Sequence, residues 1–116
     1  MNKRLVGSMH EQEAAEYLKS QGYRILMMNY RCPLGEIDIV AMDGDTLVFC
    51  EVKYRKNLQY GSPAEAVDAR KQNRIRGTAG MYLAEHRLPP EAGIRFDVVA
   101  VLNHTYTLYK NAFGGS

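Results

Sequence analysis

The chain has 116 residues, 46% of them hydrophobic and 24% charged, with a formal net charge of +2 and a pI near 8.6. That length is enough for one hydrophobic core without disulfides, and that composition excludes a disordered chain. There is no run of about eighteen apolar residues, which excludes a transmembrane helix. The opening MNKRLVGSMHEQE turns acidic before any apolar stretch builds up, which argues against a secretory signal and for the cytoplasm.

One domain is expected over residues 1–113, with Gly114-Gly115-Ser116 as a flexible tail. Ser8-Met9-His10-Glu11 reads as a capping box and Gly22 as a helix stop, giving a first helix over about residues 9–21. A strand over Tyr23 to Tyr30 follows, then a turn at Cys32-Pro33-Leu34-Gly35. Glu36 to Ala41 alternates as a strand should, and Asp43-Gly44 signals a hairpin. The returning strand, Thr46 to Tyr54, is apolar on both faces and is expected at the centre of the sheet. Ser62-Pro63-Ala64-Glu65 opens a second helix, with proline at its first position, running to about His86. Pro89-Pro90 separate it from a strand over Ile94 to Leu102, which pairs with Tyr106 to Tyr109 through an Asn103-His104 turn. The order α-β-β-β-α-β-β predicts an α/β domain, a mixed sheet flanked by helices.

The polar residues concentrate around Asp38 and Glu51-Val52-Lys53. Alternate strand residues share a face, so Glu51 and Lys53 point the same way. A two-residue turn at Asp43-Gly44 sets Asp38 diagonal to Glu51, and a four-residue loop sets it directly opposite; both bring the two carboxylates together. Carboxylates and a lysine on an apolar central strand are costly without compensation, and a hard divalent cation, Mg²⁺ or Mn²⁺, would supply it. The carbonyl of Val52 can add an oxygen. Lys53 beside such an ion can orient or deprotonate a water, or stabilise charge developing on a phosphoryl group. The competing reading is a plain Glu–Lys ion pair on a sheet surface.

Glu11 precedes Ala14, Ala15 and Leu18 on the buried stripe of the first helix, where it can join this site or serve the Ser8 capping box. Glu36 shares the Asp38 face, as an outer ligand or as an exposed strand start. In the second helix, Ala64, Val67, Ile75, Thr78 and Tyr82 form the inward stripe and Lys71 falls within it. Lys71 can snorkel to solvent or reach a phosphate. The stretch from Lys53 to Arg76 holds seven basic residues against Glu65 and Asp68. Of these, Arg55, Lys56, Arg70, Lys71 and Arg74 are candidate nucleic-acid contacts, and Arg76 also suits backbone contact. Arg95 and Asp97 read as a structural ion pair. Cys50 reads as a buried structural thiol, and neither it nor Cys32 has zinc-site spacing.

Gly35-Glu36-Ile37-Asp38 and Phe49-x-Glu51-Val52-Lys53-Tyr54-Arg55, together with Asn29-Tyr30-Arg31, Lys71-Gln72 and Arg95-Phe96-Asp97-Val98-Val99, resemble the YraN family of bacterial proteins. The resemblance runs from about residue 7 to residue 102. It implies a restriction-endonuclease-like fold, distantly similar to archaeal Holliday-junction resolvases, with Asp38, Glu51 and Lys53 as a nuclease triad and Glu11 as the helix-one acid. The implied activity is metal-dependent hydrolysis of DNA, recognised by shape or backbone. A non-catalytic nucleic-acid- or partner-binding module on the same fold is the alternative, and the resolvase likeness raises homodimerisation. The chain departs from the family at His10, where glycine is usual, at Glu13, where an apolar residue is usual, and at Ile37, where many nucleases of this fold have proline.

Overall fold

The computed structural model describes residues 3–55, 67–88 and 93–113. Its elements are α1 (Lys3–Ser20), β1 (Arg24–Cys32), β2 (Gly35–Asp43), β3 (Thr46–Arg55), α2 (Ala69–Glu85), β4 (Ile94–Leu102) and β5 (Thr105–Tyr109). The expected order and mixed sheet are both present. The five strands lie in the order β1-β2-β3-β4-β5, antiparallel except for the parallel β3–β4 pair that α2 connects. No helix of the described residues is long and apolar enough to cross a membrane.

Helix α1 begins at Lys3, six residues before its expected start. Ser8 therefore sits inside the helix and not at its N-cap. Lys3, Arg4 and Leu5 are good helix formers, and nothing there stops the backbone from continuing. The C-terminus is as expected. Gly22 has φ +93, its N–H bonds to the Lys19 carbonyl, and the Tyr23 N–H bonds to the Leu18 carbonyl. That pairing is a Schellman cap, for which glycine is suited because it has no Cβ to clash at positive φ. Leu18 and Tyr23 then enter the same core cluster.

The second helix opens later than expected. Asp68 is its N-cap, accepting from the Lys71 N–H at 2.8 Å. The expected entry at Ser62 and Pro63, like Ala64 and Lys56, lies outside the described residues. Ile75, Thr78, Ala79 and Tyr82 form the buried stripe of α2.

The hairpin between β2 and β3 combines the two anticipated geometries. Its loop is two residues long but is Gly44-Asp45, closing on Asp43↔Thr46, and Gly44 has φ +62. Glycine at the first central position is what such a turn selects. Asn103 and His104 both have positive φ and close the β4–β5 hairpin on Leu102↔Thr105.

Each sheet face carries one helix. Ala14, Ala15 and Leu18 of α1 pack with Ile39, Ala41, Val48, Cys50, Val99 and Val101, whereas Ile75, Ala79 and Tyr82 of α2 pack with Val40, Leu47, Phe49, Phe96 and Val98. Burying each large apolar side chain contributes about 1.5–3 kcal/mol, and Phe49, Leu18, Ile37, Val48 and Val98 are among those fully buried. Cys50 is buried here as expected.

The end of the sheet near the Gly44 turn is held by a polar clamp. Asp97, wholly inaccessible, accepts from Arg95 Nε and Nη2 at 2.8 and 2.9 Å, from Tyr23 Oη at 2.7 Å and from the Asn111 N–H at 2.9 Å. Arg95 also reaches Asp43 at 2.8 Å. The expected ion pair is therefore part of a larger network joining Tyr23, just ahead of β1, to β2, β4 and the C-terminal turn. Removing one partner from such a pair strands the other. Asp97→Ala should lower the unfolding free energy by about 3–5 kcal/mol in a urea titration, against about 1 kcal/mol for Tyr23→Phe.

Candidate functional site

At the other end of the sheet, the strands depart from regular alternation. Met28 and Ile39 are paired and pack toward α1, whereas Tyr30 and Ile37, the next pair on the same two strands, pack toward α2. Residues two apart in a regular strand share a face. The faces therefore exchange at the intervening row, Asn29 and Asp38. Asn29 has φ +54, a left-handed conformation that asparagine tolerates better than most residues. The β2–β3 ladder also ends here, its last pair being Ile39↔Cys50, and continuing that register sets Asp38 across from Glu51. In place of the next ladder bond, the Val52 N–H donates to Asp38 Oδ2 at 2.8 Å.

This kink lets side chains from both faces meet. Glu51 projects on the α2 face and Glu11 arrives from α1, yet both adjoin the Asp38 carboxyl closely enough to share a proton with it. The first cause of the Asp38 shift is burial. The Glu51 charge adds to it, the Val52 N–H opposes it, and the carboxyl is pushed up from 3.8 to about 8. Glu11 is raised too, by burial and then by Glu36. The nitrogen of the Asn29 amide lies 3.1 and 2.6 Å from the two Glu11 oxygens, with the amide turned to donate to them.

The basic side chains come from β3 and α2. Lys71 falls on the inward stripe as expected, and its Nζ is 2.9 Å from Glu51 Oε1, with Lys53 alongside. Burial works against the Lys71 charge, but Glu51 and Asp38 outweigh it and raise its pKa. Asp38, Glu51, Lys71, Arg74, Ile75, Gly35 and Glu36 line a cleft of about 140 Å³. Gly35 permits the close approach of α2, since a Cβ there would stand 3.1 Å from Thr78 Oγ1.

Most of the anticipated residues are therefore brought together. Glu11, Asp38, Glu51, Lys53 and Lys71 form one cluster. Glu36 lines the cleft and pairs with Arg31 across the β1–β2 ladder. Arg74 lines the cleft and Arg70 is exposed one turn back on α2. Arg55 ends β3. Arg76 departs from expectation: it donates to the Phe113 carbonyl and lies over the Phe96 and Phe113 rings, so it anchors the C-terminal turn. Asn29 was not anticipated. Its sequence signal is a lone amide within the apolar run Leu26-Met27-Met28-Asn29-Tyr30. Among the described residues, no three His, Cys, Asp or Glu side chains stand ready at metal-binding positions. The acids are instead engaged with one another, with Asn29, with the Val52 N–H and with Lys71. Their chemistry still fits a hard cation, being an all-oxygen set whose mutual repulsion a cation would relieve.

Fold and cluster together define a mixed α/β domain with a buried acid–lysine site at a sheet kink. The chain belongs to the uncharacterised protein family UPF0102, the YraN family, whose profile it matches over residues 10–101. It is similar to a UPF0102 protein of Lachnoclostridium phytofermentans, 55% identical over 97% of this chain and 96% of that one. UPF0102 proteins of Clostridium botulinum strains 657 and Loch Maree are each 46% identical over 93% of both chains.

Two predictions follow from the charge balance and the kink. Because the folded-state pKa of Asp38 is raised, its contribution to stability is full below 3.8 and is lost as pH rises through about 8. Asp38→Asn should therefore stabilise the cation-free protein at pH 8 by roughly 1–3 kcal/mol and flatten the fall of its melting temperature between pH 4 and 8. Added Mn²⁺ should stabilise the wild type at pH 8 and leave the variant nearly unmoved. At the kink, Asn29→Gly keeps the backbone conformation but loses the donor to Glu11 and should cost about 1–2 kcal/mol of thermal stability, whereas Asn29→Ala, also strained at positive φ, should lose about 1 kcal/mol more.

Proposed function

We propose that this protein is a metal-dependent nuclease that hydrolyses DNA phosphodiesters and recognises its substrate by shape or backbone. The observation supporting this most directly is the convergence of Glu11, Asp38 and Glu51 from both faces of the sheet, beside Lys53 and Lys71 in one cleft. Buried like charges raise the free energy of the cation-free protein, and a fold retains such a cluster where a ligand repays it. Asp38, Glu51 and Glu11, with the Val52 carbonyl, are the residues that would hold Mg²⁺ or Mn²⁺. When bound, the ion would activate a water and neutralise charge developing on the scissile phosphate.

The chain's own groups supply the rest. Lys53, on the Glu51 face of β3, is placed to orient the attacking water or to donate to a phosphoryl oxygen. Lys71 and Arg74 line the cleft and can hold a neighbouring phosphate, with Arg70 one turn back on α2 extending the track. The basic side chains at the cleft suit phosphate contacts, which supports backbone recognition. A homodimer would bring a second such site to a branched substrate, and a cytoplasmic location would give access to chromosomal DNA.

The test is cleavage of supercoiled, linear, single-stranded and branched DNA with Mg²⁺ or Mn²⁺. Wild type should cut at least one form, and Asp38→Asn, Glu51→Gln and Lys53→Met should each lower the rate by about 10²–10³-fold. Cation binding that Asp38→Asn abolishes, without cleavage of any form, would establish the non-catalytic module instead.

A further inference from the structure

Among the described residues, Lys71 is the basic side chain of α2 that forms an ion pair with the acid cluster. Its ammonium is 2.9 Å from Glu51 Oε1; the carboxylate it holds is nearly buried, while the lysine side chain keeps 39% of its surface exposed. It shares the cleft with Arg74, one turn further along the same helix. Asp68, which caps α2 through the Lys71 N–H, fixes the backbone from which the side chain swings.

We infer that Lys71 is an exchangeable counter-ion, holding Glu51 while no divalent cation is bound and passing to a substrate phosphate once a cation takes that carboxylate. This rests on the nuclease reading and adds to it an order of events. The formal charges support it. With a cation bound and all three carboxyls ionised, Glu11, Asp38 and Glu51 bring three negative charges against two positive ones on Lys53 and Lys71. A dication entering with Lys71 in place would leave the site one charge too positive, and like charges at such separations repel strongly where water is scarce. Release of Lys71 restores the balance. The flexible four-carbon stem and the open cleft leave the ammonium a short path to a phosphate beside Arg74. Cation and polyanion should then favour each other, and by linkage each should tighten the other to the same degree.

The experiment uses the full chain as wild type, Lys71→Met and Asp38→Asn. Thermal melts first establish that Lys71→Met is folded. Calorimetric titration with Mn²⁺ alone should show Lys71→Met binding roughly three- to tenfold more tightly than wild type, because a competing cation has been removed. The second readout is the salt dependence of binding to a short duplex. In EDTA, Lys71→Met and wild type should share one slope. With Ca²⁺ present, the wild-type slope should be steeper than that of the variant by about one unit, the contribution of one phosphate contact. Mn²⁺ affinity in Lys71→Met equal to or weaker than wild type would overturn the inference. So would a slope difference already present in EDTA, which would mean that Lys71 contacts phosphate without release. If wild type and Asp38→Asn take up Mn²⁺ alike, the nuclease reading itself fails; if they differ and Lys71→Met matches wild type, only the counter-ion role does.

Discussion

A buried carboxylate must find protons, donors or cations, and the whole polar end of this molecule is arranged around that demand at Asp38. The side chain sits where β2 and β3 cease to pair, so one of its oxygens takes the Val52 N–H that the ladder would otherwise have used. Its remaining capacity faces Glu51 and Glu11, neither of which can help it unless one carboxyl holds a proton. The site is thus held in tension by like charge. Lys71 relieves part of it through Glu51, and Asn29 satisfies Glu11.

The kink at Asn29 and Asp38 explains how acids from opposite sides of a sheet come to share one position. A flat sheet would separate them by its own thickness, with Glu51 among the α2 contacts and Glu11 among those of α1. The exchange of faces at one row, made by a left-handed asparagine on β1 and answered on β2, removes that barrier. Hydrophobic packing and polar geometry are therefore coupled at this row. Tyr30 and Ile37 can join the α2 core only because the same kink turns Asp38 toward its partners.

Much of this was legible in the sequence. Strand β4 stands over Ile94 to Leu102 as read, because Ile94, Phe96, Val98, Val99 and Val101 give it a strong strand preference. The pairing of Asp38 with Glu51 survived uncertainty about the turn, since registers two residues apart keep the same face. Lys71 announced itself as a cation on an apolar stripe. What could not be read depended on tertiary contact. Ser8 carries a capping pattern that the helix overrides by continuing to Lys3. Arg76 belongs to a basic cluster in the sequence, but its position on α2 turns it toward Phe113. The role of Asn29 lies in a backbone dihedral that no side-chain pattern specifies.

The two ends of the sheet are built on opposite principles. At the Gly44 end, Asp97 has every acceptor position used, and with Arg95 it ties β2, β4, Tyr23 and the C-terminal turn together. At the Asp38 end, the β2–β3 ladder stops, and what joins the two strands there is the Val52 N–H on Asp38 beside two carboxyls that compete. A sheet fixed at one end and splayed at the other behaves as a pair of tongs about a fulcrum. Small rotations about the Arg95 anchor become larger displacements at the acids. Compliance is thereby expected at the acids, away from the hydrophobic layers that the two helices cover.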